Sequence, residues 1–315
     1  VRWAGSERIA RPTPHDGDWP RIDIVDPFTG LGDEEAPKGA LLSSALIAEL
    51  RDPARTVACV LNVKGRARLL TCKGCHAVAR CEKCDAAMRD MGDGHLECPA
   101  CAHHRPHVCQ KCGGAALVLA RKGVQRAMEE IQAAANRPVR DVTGSTESAA
   151  NTSANVYVGT EALLHRVASA DVVAFLDFDN EVFAPTYRAA EHAWSLVILA
   201  SRALRGSTNG RVILQTNDAT NSLVAEFAHP EPLRILEGEA DKRRQLSLPP
   251  FSHMARVVVG DSPPNELSHP PLGVAVAQVN DREFLVRGDD VDSFVEFTNV
   301  LRTAHARVYT DPSRY

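Results

Sequence analysis

Apolar and polar residues along the chain alternate in patterns that separate strands from helices. Arg21 to Asp26 (RIDIVD) has the two-residue period of a strand, and Leu41 to Arg51 (LLSSALIAELR) repeats its apolar positions at helical spacing. Thr56 to Asn62 (TVACVLN) is an apolar, β-rich run ending before Lys64-Gly65, which makes its Cys59 a core residue. Further on, Val124 to Ala135 reads as a helix, followed by short strands at PVRDVTG, NVYVGT and DVVAFLDFD. A longer helix fits Tyr187 to Leu204, a buried strand Arg211 to Thr216, and a helix Asn221 to Ala228. Apolar strands alternating with helices predict an α/β domain, a mainly parallel sheet covered on both faces.

The pattern changes at Asp241. DKRRQLSLPPF is a basic helix end stopped at Pro249 and Pro250, and MARVVVG, GVAVAQV and REFLVRG then read as strands. A helix over Val291 to Ala304 and a last strand at ARVYTD complete a small α+β domain, with DSPPNELSHPP as a surface connection.

Between Thr71 and Gly113 neither periodicity holds, and four Cys-x-x-Cys pairs take its place: Cys72/Cys75, Cys81/Cys84, Cys98/Cys101 and Cys109/Cys112. Each pair puts two thiolates on one tight turn, so four pairs supply the eight sulfurs of two closed four-cysteine zinc sites. Gly74, Gly113 and Gly114 stand where such turns need an unhindered backbone. Four repeats of one short spacing suit a metal better than a disulfide framework, and no signal peptide points to an oxidising compartment. Iron–sulfur ligation is the smaller rival, since thiolates alone do not exclude it. A catalytic zinc would keep an open position, so the sites read as structural. His76, His95, His103, His104 and His107 lie nearby, but eight cysteines already complete two sites.

Which pairs share an ion is a question of chain length. Only His76 to Arg80 separates the first pair from the second, a short path for two turns that must face each other. The longer stretch from Cys84 to Cys98 can form a hairpin that brings the middle pairs together and leaves the outer pairs to meet. This nested arrangement is preferred, with a cross-braced one open.

Composition adds a second signal. The chain has 315 residues, 44% hydrophobic, with no apolar run long enough for a membrane helix, and it reads as soluble and cytoplasmic. Its net charge is −4, yet Leu61 to Arg126 holds twelve Lys and Arg against five Asp and Glu. Lys64, Arg66 and Arg68 lead into the cysteine module and Arg121, Lys122 and Arg126 leave it, a cluster of cations suited to a phosphate backbone. The opening stretch, from Val1 through RIARPTPHDGDWP, reads as a linker from an upstream region over residues 1–20.

Taken together, LNVKG, the four Cys-x-x-Cys pairs, GVQR, VGTEALLH, VVAFLDFDN, YRAAEHAWSLVILASRALRG, RVILQT and KRRQLSLPPF resemble the primosomal replication-restart (PriA) family of superfamily 2 DNA helicases. The resemblance implies a RecA-like second helicase lobe over 21–65 and 121–240, a two-zinc insertion over 66–120, and a C-terminal α+β domain over 241–315. It also implies the nested pairing, with Cys72, Cys75, Cys109 and Cys112 on one ion and Cys81, Cys84, Cys98 and Cys101 on the other. The partners it implies are forked or single-stranded DNA, with primosome and replication proteins, in a nucleoid-associated setting.

The departures from the family fall on nucleotide-handling residues. Neither a Gly-x-x-x-x-Gly-Lys-Ser/Thr phosphate loop nor the acidic Mg²⁺ motif is present in this chain. In the arginine motif Ile198 stands for Gln, Ser201 and Leu204 for the glycines, and only Arg202 and Arg205 remain. GTEALLHR keeps Gly159 and Thr160 of its motif but loses the lysine and following glycine. These four residues are therefore vestigial ATPase positions, no ATP is expected, and the pattern resembles the degenerate actinobacterial branch of the family. The resulting expectation is a DNA-binding replication-restart protein without helicase activity of its own. The alternatives are the C-terminal half of an active 3′–5′ helicase and a zinc-stabilised protein-interaction module.

Overall fold

The computed structural model describes residues 19–26, 41–61, 70–99, 101, 103–119, 124–142, 155–184, 186–204, 207, 209–229 and 231–312. The chain divides into two compact units, one of Val1–Pro185 with Ala189–Ile235, the other of Thr186–Arg188 with Leu236–Tyr315. The first contains β1 (Arg21–Val25), α1 (Ser44–Arg51) and β2 (Val57–Val60). It continues with five small strands, β3 (Leu70–Cys72), β4 (Arg89–Asp90), β5 (His95–Glu97), β6 (His104–Pro106) and β7 (Leu117–Leu119). After them come α2 (Val124–Ala135), β8 (Val139–Val142), β9 (Val156–Gly159), β10 (Val172–Phe175), α3 (Asp179–Val182), α4 (Ala189–Ala203), β11 (Arg211–Gln215) and α5 (Ser222–Glu226).

Six strands form one sheet in the order β1-β11-β10-β2-β9-β8, every neighbour parallel. Because side chains alternate along a strand, each of these apolar runs feeds two cores. Val57, Cys59, Val172, Ala174 and Ile213 pack with Leu46 and Leu50 of α1 and Ala127 and Ile131 of α2. Ala58, Val60, Val173, Phe175, Val212 and Leu214 pack on the other side with Ala193, Trp194, Val197 and Ala200 of α4. Cys59 is thus the core residue its apolar surroundings predict, and burial pushes its thiol up to about 12.

Helix boundaries depart from the periodicity for local reasons. Helix α1 begins at Ser44 rather than Leu41, because the Ser43 hydroxyl caps the Leu46 N–H at 3.3 Å. The chain before it is held by Gln215, whose Oε1 accepts from Ser43 N–H and whose Nε2 donates to the Leu41 carbonyl, both at 2.8 Å. Helix α4 begins at Ala189, since Tyr187 and Arg188 are committed to Asp311: the phenol donates to it at 2.5 Å and the guanidinium at 2.7 Å. DVVAFLDFD is a strand only as far as Phe175, and Asp179 already opens a helix.

The second unit takes in α6 (Pro232–Gln245) from Leu236 onward, then β12 (His253–Val258), β13 (Val274–Asn280), β14 (Glu283–Gly288), α7 (Val291–Thr303) and β15 (Arg307–Thr310). Its strands form an antiparallel sheet in the order β13-β14-β12-β15, packed through Ala255, Val257, Phe284 and Val286 against Phe294, Phe297 and Leu301 of α7. The proline-bearing connection is more than surface: it holds a short 3₁₀ turn, Asn265–Ser268, and buries Leu267. Among the described residues no helix is long and apolar enough to cross a membrane.

Candidate metal centre

The cysteine module leaves the parallel sheet after β2 and the chain returns to it at α2. Its base is the antiparallel pair β3–β7, with Leu70 opposite Leu119 and Cys72 opposite Leu117. Beyond that base, β4, β5 and β6 form a three-stranded antiparallel sheet. The β4–β5 hairpin turns through Gly92 and Gly94, at φ of 80° and 84°, and carries the chain from Cys84 back to Cys98.

The four Cys-x-x-Cys turns share one hydrogen-bond plan. Cys72 N–H donates to Ala77 O at 2.9 Å, Cys81 N–H to Ala86 O at 2.9 Å, Cys98 N–H to His103 O at 2.8 Å and Cys109 N–H to Gly114 O at 2.8 Å. In three of them the residue four after the first cysteine donates back to that cysteine's carbonyl: His76, Asp85 and Gly113, at 2.9, 2.9 and 2.8 Å. Closing the turn this way needs a left-handed residue, and these three have φ of 58°, 63° and 73°. Gly113 therefore serves its backbone. Gly114 lies against the sulfurs but has room for a Cβ, which would stand at the ordinary contact distances of 3.4 Å from Cys112 Sγ and 3.6 Å from Cys72 Sγ. Gly74 likewise has room, its Cβ position meeting nothing nearer than 3.9 Å.

The turns gather the sulfurs into two clusters: Cys72, Cys75, Cys109 and Cys112 in one, Cys81, Cys84, Cys98 and Cys101 in the other. The outer pairs meet where β3 joins β7, and the middle pairs meet across the hairpin. Within each cluster the sulfurs lie no more than 4.8 Å apart. Facing pairs stand at 3.5 Å (Cys72–Cys112), 3.5 Å (Cys75–Cys109), 3.5 Å (Cys81–Cys101) and 3.4 Å (Cys84–Cys98). Four sulfurs about 2.3 Å from one central ion stand about 3.8 Å from each other, whereas a disulfide needs about 2.05 Å. All nine cysteines are free thiols. Both sites have the geometry to hold a metal ion.

Electrostatics favour a cation in each. The N–H of Cys75 draws the Cys72 thiol down to about 7 against the pull of burial, whereas burial pushes Cys75 up to about 12. In the second cluster hydrogen bonds with Cys84 and Cys98 lower Cys81, while the bond with Cys81 raises Cys84 and also takes Cys98 up to about 12. One thiolate in such a cluster makes the next harder to form, and a divalent ion removes that conflict.

Arg105 is the buried cation of the module. Its Nε donates to Met88 Sδ at 3.0 Å and Nη1 to the Val108 carbonyl at 2.6 Å. Burial lowers its pKa, opposed by the charges of Glu82, Cys109 and Cys81, so it senses one ligand of each cluster. The histidines are not in the clusters; His107 faces Asp90 at 3.4 Å and His95 faces Asp93 at 3.6 Å.

The other sequence-predicted positions fall only partly within the described residues. Lys64, Arg66, Arg68, Arg121, Lys122 and Arg205 lie outside the described residues, as does the side chain of Arg126 in α2. Gly159 ends β9, Thr160 precedes the 3₁₀ turn Glu161–His165, and Arg202 is exposed in the last turn of α4. A Cβ on Gly159 would lie 2.1 Å from the Val142 carbonyl oxygen, so packing alone requires glycine there. Ile198 packs against the α4 core, Leu204 is buried in it, and the Ser201 hydroxyl donates to the Ile198 carbonyl. Ile198 and Leu204 are thus packing residues in this structure.

The comparisons with known proteins agree with this architecture. Replication restart protein PriA of Thermotoga maritima is 26% identical over 236 residues, which is 69% of this chain and 32% of that protein. PriA of Bacillus subtilis is 27% identical over 217 residues, 63% of this chain and 27% of the relative. PriA of Rickettsia conorii is 26% identical over 267 residues, 78% and 41%. This is a PriA-like C-terminal region. It is distant in sequence, and its match spans well under half the length of these PriA proteins. No protein-family model matches the chain.

Proposed function

We propose that this chain is the DNA-binding scaffold of a PriA-type replication-restart protein, with two structural zinc ions and no ATP hydrolysis of its own. Cys72, Cys75, Cys109 and Cys112 would hold one ion, and Cys81, Cys84, Cys98 and Cys101 the other. The observation that carries the reading is the pair of all-sulfur clusters set into a parallel sheet, in a chain whose sequence is similar to PriA. Sulfurs within 4.8 Å of one another suit a single ion per site, too close for the corners of a multi-iron cluster. Closed four-thiolate sites leave no position for a reacting water, which is why the role is structural.

Binding to forked or single-stranded DNA rests on the cations that flank the module. Each loaded four-thiolate site carries a net charge of about −2, so the module itself is a poor phosphate binder. The pairing of Leu70 with Leu119 supports a role for the flanks, because Lys64, Arg66 and Arg68 precede one strand of that pair and Arg121, Lys122 and Arg126 follow the other. Primosome and replication proteins are the partners that the likeness to PriA suggests. Packing of Ile198 against the α4 core and burial of Leu204 in it support the absence of a working ATPase.

The test is binding of a labelled forked duplex across 50–200 mM salt, beside an ATP turnover assay. Each phosphate contact contributes a slope of about 0.7 to 0.9 in log affinity against log salt, so Ala at Arg66, Arg68 and Lys122 should flatten the slope by roughly 2 to 3. DNA-stimulated hydrolysis that disappears in Arg202→Ala would restore the helicase alternative. An unchanged slope in the triple variant would favour a protein-interaction module.

A further inference from the structure

We infer that the Cys81/Cys84/Cys98/Cys101 site is the anchor of the module on the parallel-sheet lobe, acting through Arg80; the inference rests on the zinc reading above. Arg80 immediately precedes the Cys81 turn and divides its guanidinium between module and lobe. Nη1 donates to both carboxylate oxygens of Asp85 at 2.9 and 3.0 Å, and Nη2 donates to Asp218 at 2.5 Å. The guanidinium carbon also lies 4.9 Å from the centre of the Phe183 ring.

The two carboxylates are held by different structures. Asp85 is the left-handed residue that closes the Cys81–Cys84 turn, so its side chain is placed by the folding of that metal site. Asp218 follows β11; its N–H donates to Thr216 Oγ1 at 3.1 Å, and Thr216 and Asn217 both donate to the buried Asp179 at the start of α3. Arg80 thus links the turn of the second cluster to the carboxyl edge of the parallel sheet, the edge at which open α/β sheets bind their ligands.

Backbone and core contacts run through the same segment. Ala87 N–H donates to the Phe183 carbonyl at 3.0 Å, and Val78 and Ala87 belong to the lobe core beside Phe175, Phe178 and Phe183. These contacts come from residues 78–87, which bracket the Cys81–Cys84 turn, and the cysteines of the first cluster share none of them. The first cluster closes the β3–β7 base instead, and its Cys112 is exposed, whereas no cysteine of the second cluster is. One metal therefore closes the insertion and the other fixes its pose on the sheet. A chelator that reaches the exposed Cys112 site first should loosen the base while the module stays docked.

Amide hydrogen exchange on the zinc-loaded chain tests this, with zinc content read in the same samples. Arg80→Ala keeps all eight ligands, and it should retain two zinc ions while exchange at the Ala87 amide rises at least tenfold. Cys98→Ser should expose the Ala87 amide, and Cys112→Ser should leave it protected, with the Val173 amide of the sheet protected in both. Unchanged protection of Ala87 in Arg80→Ala, or equal loss in Cys98→Ser and Cys112→Ser, overturns the anchor. A wild-type chain that takes up less than two zinc ions overturns the zinc reading instead, and loss of Ala87 protection in Arg80→Ala would then show the arginine latch standing without it.

Discussion

The parallel-sheet lobe and the cysteine module share one compact unit but are held together by different materials. Fully buried in the lobe are Trp194, Phe175, Phe178, Phe183 and Phe227, all in the core on one face of the sheet, while Leu46, Leu50 and Ile131 fill the core on the other. Among the described residues, apart from four cysteines, the module's own core contains only Leu70, Met88, Leu96 and Leu117 as large residues, with Ala79 and Ala86 between them. A lobe of that kind gains about 1.5–3 kcal/mol from each large side chain it buries, enough to offset the ordering of its backbone. A short segment with so few large residues does not, which is the size range where a metal replaces a core. The difference predicts that the insertion can unfold without dissolving the sheet, because the sheet has cores of its own.

Metal removal should break the comparison most sharply. Structural zinc supplies about 10–16 kcal/mol of apparent binding free energy in small peptide domains at neutral pH. Elemental analysis should return two zinc per chain, and chelation should abolish exchange protection in the module while the six-stranded sheet keeps its own. The same linkage sets a pH dependence. Zinc binds thiolates and protons compete for them, so affinity should fall with pH through the neutral range, where Cys75 and Cys98 are protonated, and more steeply below the Cys72 value of about 7. Uptake at neutral pH should also release protons, because Cys75 and Cys98 lie near 12. A titration in weak buffer that shows no proton release would contradict thiolate ligation.

The converse experiment strikes the lobe. Phe178→Ala removes a ring packed edge-on to Phe175 and Phe227, at centroid distances of 5.5 and 5.0 Å, and should cost about 3–5 kcal/mol in denaturant unfolding. Zinc content of the folded fraction should stay at two, since the ligands lie outside that core. A smaller effect sharpens the view of the module. Arg105→Ala removes the buried cation that offsets charge beside both clusters, and should weaken zinc affinity by about 10- to 100-fold in chelator competition with little change in the sheet. Gly159→Ala, whose methyl would stand 2.1 Å from the Val142 carbonyl oxygen, should cost about 1–3 kcal/mol of stability and leave DNA affinity unchanged. Lost DNA affinity at full stability would assign Gly159 a ligand role instead.

What was legible from residue order is local, and so is its physical cause. A short continuous apolar run marks a strand covered on both faces, and β2, β10 and β11 are found where TVACVLN, DVVAFLDFD and RVILQT predict them. Cys-x-x-Cys spacing marks metal turns because two residues are what a tight turn needs, and the chain length between pairs already favoured the nested grouping. Helix α1 starts three residues later than its periodicity suggests because Ser43 caps it, and Ser43 is itself held by Gln215, 172 positions away in sequence.

Only tertiary structure could decide the rest. The strand order, the need for glycine at Gly159, the joint position of Arg105 beside both clusters, and the meeting of Arg80 with Asp218 all depend on groups brought together across the fold. Arg80 and Asp218 are 138 positions apart, with no periodicity or motif to link them. Spacing along a chain encodes what neighbours within a turn will do. Contacts that close long loops are chosen by packing and by complementary charge, and these exist only once the sheet and the metal turns have formed.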